Sequence, residues 1–174
     1  MQKISSTNGQ SGLEIRRETE GKIPIEFQNR IAECIGTLRS NCVGTALYIT
    51  GEIKADEYIN AYRIAYMLFR QENKEKSLQR VDEPVPGCII IWRLDLTSGM
   101  PYAVQHAGVI TSIKPMLMAH RCGPLEEFVV DQQVGESFTF MRNGIPTIRV
   151  FNKDAIKEYY LPHALTKSNP VFPR

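Results

Sequence analysis

The sequence predicts an α+β domain, with N-terminal helices packed on a C-terminal antiparallel β-sheet. Two patterns carry that expectation. Up to about residue 72 the apolar positions recur every three or four residues, whereas after the proline-bearing turn QRVDEPVPG the chain breaks into short β-branched or aromatic runs separated by turn residues. Helices followed by consecutive strands joined by short connections favour neighbouring strands in one sheet.

Residues 1–22 are polar, glycine-containing and without periodicity, so a flexible lead-in is expected there and a single domain over 23–174. Behind Pro24, the spacing of Phe27, Ile31, Ile35 and Leu38 predicts an amphipathic helix over Ile25–Arg39. Ser40 and Asn41 supply N-cap chemistry for a second, short helix that begins near Cys42 and stops at Gly51, a natural left-handed terminator. Tyr58, Ala61, Tyr62, Ala65, Tyr66 and Phe69 mark a third helix over Ala55 to about Glu72. CIIIWRL, AVQHAGVITSI, PMLMAH, EEFVVD, SFTFMR and TIRVF then read as strands. Asn152 is a cap for a last short helix, KDAIKEYY, ahead of a proline-bearing tail.

A chain of 174 residues is long enough to bury a core without staples. Its net charge of +2, with scattered lysines and arginines, is too weak a footprint for nucleic-acid binding. No apolar leader or membrane-length apolar run stands in the sequence, so a soluble protein is expected, either cytoplasmic or leaving the cell without a signal peptide. Cys34, Cys42, Cys88 and Cys122 are irregularly spaced and contain no CxxC, which argues for reduced thiols. Cys42, His106, His120 and Cys122 are the remaining candidates for a metal set. They lack the paired close ligands of structural zinc sites, so neither metal nor cofactor is expected.

Cys42 carries the candidate chemistry. A thiol ordinarily titrates near 8.5, and a helix N-terminus together with a nearby imidazolium lowers that value and favours the thiolate nucleophile. The chain has 3 histidines. His163, in LPHAL, is most simply a surface residue. His106 lies inside a strand and precedes the small residues Ala107 and Gly108, which leave room about its ring, while His120 closes the following strand. If these strands are antiparallel neighbours linked near Lys114 and Pro115, His120 returns beside His106. A nucleophile, a base and a third group that orients the base are what nucleophilic catalysis requires.

The blocks NCVGTALYITG, VPGCIIIWR, QHAGVITS and MLMAH, in that order, resemble those of the NlpC-type peptidases, papain-like bacterial cysteine hydrolases of the cell wall. The resemblance covers roughly residues 40 to 122 and implies a papain-like fold with Cys42 as nucleophile, His106 as base and His120 as orienter. It further implies hydrolysis of amide bonds in peptidoglycan stem peptides through a thioester. Asn41 stands where the family has aspartate, Val43 where it has serine, and Cys88 where it has aspartate, and no tyrosine precedes Tyr48 to help form an oxyanion hole. The Cys42 N–H remains as one oxyanion donor, with Asn41 or Ser40 as candidates for a second.

The expected partner is thus a peptide or peptidoglycan fragment. Without an export signal, the substrate question divides among a specialised secreted amidase, a recycler of wall fragments, and an enzyme using the same triad on a protein as protease, deamidase or acyltransferase. A catalytically inactive binding module of the same fold is the alternative from another class, and a redox-sensing or metal-binding role is a third.

Overall fold

The computed structural model describes residues 22–38, 40–60, 63–64, 78–94, 103–124 and 126–168. Helices are α1 (Ile25–Cys34), α2 (Cys42–Ile49) and α3 (His163–Ser168), and strands are β1 (Gln79–Val81), β2 (Ile89–Leu94), β3 (Ala103–Ile113), β4 (Met116–Arg121), β5 (Phe128–Gln133), β6 (Ser137–Arg142), β7 (Ile145–Val150) and β8 (Ile156–Leu161). The architecture is α+β. A 6-stranded sheet runs in the order β1-β8-β2-β3-β4-β5, β6 and β7 form a separate hairpin, and every pairing is antiparallel.

Helix α1 begins behind Pro24 and buries Phe27, Ile31 and Cys34. It ends at Cys34 and not at Arg39, because the Thr37 hydroxyl donates to the Cys34 carbonyl at 2.9 Å and Gly36 takes a left-handed φ of +75°. Ile35 and Leu38, expected inside, are therefore exposed. Helix α2 has the expected bounds, capped by the Asn41 side chain and closed by Gly51 at φ +81°.

The helix expected over Ala55–Glu72 does not begin at Ala55. Residues 56–60 are irregular, Arg63 and Ile64 are helical, and 61–62 and 65–72 lie outside the described residues, as does the lead-in 1–21. The irregular stretch is held to the first turn of α2, where the Ser40 hydroxyl donates to the Glu57 carbonyl at 3.0 Å and Asn41 Nδ2 donates to the Ile59 carbonyl at 2.9 Å.

The expected terminal helix KDAIKEYY is instead strand β8. Ile156, Tyr159 and Tyr160 satisfy helical spacing, while Ile156 and Tyr160 also share one face of a strand, and the open edges of β1 and β2 decide between the two. Glu158 in β8 is 2% exposed and accepts from Arg93 Nε at 2.7 Å, Arg80 Nη1 at 2.8 Å and the Tyr160 hydroxyl at 2.8 Å.

Because β2 is covered on both faces, its apolar run does not alternate with polar residues. Ile89 and Ile91 join Ala107, Val109 and Ala119 against Phe27, Ala46 and Ile49 of the helices. On the opposite face, Ile90, Trp92, Ile110 and Met118 pack with Phe138 and Phe140 of the hairpin and with Phe151. The sheet separates these two cores. Strand β3 therefore meets α2 on one face and the β6–β7 hairpin on the other.

Candidate active site

Cys42 is the first residue of α2 and is partly exposed. Asn41 sets that helix end: its Oδ1 accepts from the Gly44 N–H at 2.9 Å, and the residue is clamped to Ile59. Gly44 permits the clamp, since a Cβ there would lie 1.9 Å from the Glu57 carbonyl oxygen. Both side chains suggested for an oxyanion hole are thus already engaged. The Ser40 hydroxyl donates to the Glu57 carbonyl, and the Asn41 amide accepts from Gly44 and donates to Ile59, so both side chains hold the start of α2.

The histidines do come together. Strands β3 and β4 are antiparallel neighbours turning at Lys114 and Pro115, and His106 Nε2 lies 2.9 Å from His120 Nδ1. Gly108 makes this approach feasible: a Cβ there would meet Met118 Sδ at 3.1 Å and the Ala119 carbonyl oxygen and His120 Cβ at 3.2 Å each. The outer nitrogens, His106 Nδ1 and His120 Nε2, are buried without a partner.

Aromatic rings enclose the pair. The Phe138 centroid lies 4.9 Å from that of His106 and 4.6 Å from that of His120, while Trp92 and Phe151 flank His106 at 5.7 and 5.6 Å. His106 and His120 are 0% and 1% exposed, so the imidazoles are shut away from water. That burial holds both neutral. Desolvation, the other histidine and Arg149 push His106 well below its ordinary value, and desolvation brings His120 down to about 4, opposed by the Arg121 backbone and helped by the charge of Arg149.

Burial also raises the Cys42 thiol, and this outweighs the N–H groups of Ala107, Val43 and Cys42 itself and the charge of Arg149, all of which favour the thiolate. At neutral pH the resting site therefore holds a thiol and neutral imidazoles. The sulfur lies at the amide of Ala107, the residue that follows His106, on the helical face of the sheet. The imidazoles pack on the hairpin face. No hydrogen bond joins the Cys42 thiol to either ring.

No family model, curated protein or solved structure matches this chain. What the site can do therefore rests on its own atoms. In a neutral dyad one proton sits between His106 Nε2 and His120 Nδ1. When His106 Nε2 holds that proton and donates it to His120, His106 Nδ1 carries a bare lone pair and is a base.

His163 is remote from the pair; its ring and its backbone N–H are both held by Glu52, at 2.7 and 2.8 Å. Among the described residues no group of three or more His, Cys, Asp or Glu stands at metal-binding distances, so the set Cys42, His106, His120 and Cys122 does not converge. None of the described helices is long and apolar enough to cross a membrane.

Two arginines escaped the sequence reading. Arg121, 0% exposed, donates from Nε to the Thr45 hydroxyl at 3.0 Å and from Nη2 to Asp56 Oδ2 at 3.0 Å, which ties α2 to the strand that carries His120. Its signal was a charge adjoining the histidine in the otherwise apolar run MLMAHR. Arg149 joins the Gln105 carbonyl of β3 to the Cys122 carbonyl just past β4, and nothing in the local pattern TIRVF marks it.

Proposed function

We propose that this protein is a papain-like cysteine hydrolase of amide bonds, with Cys42 as nucleophile, His106 as base and His120 as the residue that orients it. One observation carries this reading: His120 occupies the Nε2 side of His106 and leaves Nδ1 unpartnered, while the Cys42 sulfur lies at the adjoining Ala107 amide. In this structure the sulfur and the His106 ring stand on opposite faces of β3, so the reading requires β3 to shift locally when substrate binds and bring Nδ1 to the thiol.

The Cys42 thiol gives its proton to His106 Nδ1 as sulfur attacks the substrate carbonyl carbon. The Cys42 N–H at the helix start is oriented to favour negative charge and supplies one donor to the carbonyl oxygen. The C–N bond then breaks, His106 returns its proton to the leaving amine, and a thioester remains. A water that gives its proton to His106 attacks the thioester, the C–S bond breaks, and that proton returns to sulfur. The balance is amide and water to acid and amine.

By its resemblance to the NlpC-type peptidases, the substrate is a peptidoglycan stem peptide, and a peptide or protein amide is the variant of the same chemistry. Purified muropeptides and a broad peptide library, read by mass spectrometry, test both substrate classes. Cleavage is expected with the wild type and lost with Cys42→Ala and His106→Ala; cleavage that survives Cys42→Ala removes this mechanism.

A second reading is a non-catalytic binding module of the same fold. The raised thiol, the lowered imidazoles and the ring contacts over them favour it. It predicts retention of a muropeptide or peptide on the immobilised protein without any mass change.

A further inference from the structure

Arg149 projects from β7 at the position paired with Phe138, on the hairpin face that covers the histidines. Its Nη2 donates to the Gln105 carbonyl at 2.9 Å and its Nη1 donates to the Cys122 carbonyl at 2.8 Å. Gln105 directly precedes His106, and Cys122 follows His120 by two residues. The Cα pairing of β3 with β4 runs from Ile113 and Met116 only as far as Val109 and Ala119. Past that point His106 is paired with Trp92 of β2, and His120 with Val129 of β5. The backbone ladder has thus ended where the histidines stand, and what spans the parting strands is the imidazole–imidazole bond and the Arg149 guanidinium. A planar fork with several N–H donors suits two carbonyls that face one another across such a gap. The Gln105 side chain adds a further tie, its Oε1 accepting from the Asn152 N–H at 3.1 Å.

We propose that Arg149 is a positioning residue of this site, holding the ends of β3 and β4 at the spacing the His106–His120 bond needs and setting a fixed positive charge against the pair. The inference rests on the hydrolase reading for its functional meaning, while its structural content stands apart from it. Arg149 is the cation that bears on Cys42, His106 and His120 alike. Trp92 from β2, Phe138 from β6 and Phe151 face the pair only with uncharged rings, and Cys42 approaches from α2 across the Ala107 amide. A guanidinium stays charged throughout the accessible pH range, so its repulsion of an imidazolium never lapses. It adds to the desolvation that already keeps His106 unprotonated, and the same charge favours a thiolate.

The test is an NMR titration of the imidazole nitrogens in the full chain, with the pH profile of cleavage measured beside it. Arg149→Gln removes the charge and keeps a polar side chain, and the protonation midpoint of the pair is expected to rise by about one on the pH scale. The acid limb of the cleavage profile moves with it, and kcat falls more than KM changes. Arg149→Lys keeps the charge and is expected to titrate as the wild type does. A folded Arg149→Gln protein whose histidines titrate as before overturns the proposal. Should that variant not fold, Arg149→Lys decides alone: imidazole nitrogen signals displaced from their wild-type positions, as loss of the fork across the Gln105 and Cys122 carbonyls requires, support the proposal, and wild-type signals overturn it. Because the titration needs no turnover, a wild type that cleaves nothing removes the hydrolase reading and leaves this result standing.

Discussion

His106 Nε2 and His120 Nδ1 meet at 2.9 Å inside an aromatic enclosure, so the two imidazoles act as one neutral unit and not as two independent bases. Replacing His120 with leucine leaves His106 Nε2 buried without a partner, which costs about 1–3 kcal/mol. Cleavage by a His106-dependent mechanism is expected to fall about 10²-fold or more, since the base loses its oriented tautomer. His120→Asn restores an acceptor and is expected to recover part of kcat, as steady-state kinetics on a cleaved library peptide will register.

Acid weakens the fold through the same pair. Both imidazoles titrate below the ordinary histidine value near 6.5 once folded, His120 at about 4, so between those values the unfolded chain binds more protons than the folded one. Stability rises with pH across that window: the contribution is complete above about pH 6.5 and is lost as pH falls towards 4. For His120 it is on the order of 3 kcal/mol. Urea midpoints taken from pH 7 to pH 4 are expected to decline in the wild type, and to decline less in His120→Gln.

Gly108→Ala tests how closely β4 must approach β3. The added Cβ meets the Ala119 carbonyl oxygen and His120 Cβ at 3.2 Å each, and the backbone oxygen can yield only by moving β4. Overpacking of this kind costs about 1–3 kcal/mol. The imidazole NMR signals are expected to shift with it; a variant with wild-type thermal midpoint and unchanged imidazole signals would show that the strands have slack.

Asn41→Ala removes the cap on α2 together with the clamp on Ile59. A lost N-cap costs about 1 kcal/mol, and the unpaired Ile59 carbonyl adds to it. Asn41→Asp keeps the acceptor for Gly44 but gives up the donor to Ile59, so an intermediate loss is expected. Chemical denaturation of the three proteins orders them.

Phe138→Ala opens the enclosure. It is expected to destabilise by about 3–5 kcal/mol, as large-to-small core changes of phenylalanine do. Water admitted to the rings lessens their desolvation, so the histidine midpoints measured by NMR should move up towards the ordinary value. Midpoints that stay low in a folded Phe138→Ala protein would assign the depression to charge alone.

The chain order of residues determined much of this protein by itself. The caps and stops of α2, the run of short strands and the β3–β4 turn are local signals: Asn41, Gly51, and the polar and proline punctuation between apolar runs act on their own neighbours wherever they fold. Adjacent strands joined by a short turn brought His106 and His120 together for the same reason. Tertiary structure decided what no local pattern contains. Ile156 to Leu161 fit two periods, and only the free edges of β1 and β2 made them a strand; the start of the helix expected from Ala55 yielded to bonds with Ser40 and Asn41. The face of the sheet occupied by the imidazoles, the rings that dry them, and the reach of Arg149 to the carbonyls of Gln105 and Cys122 depend on the hairpin folding over β3 and β4. These contacts join residues far apart in sequence, where spacing carries no information about which side chains meet.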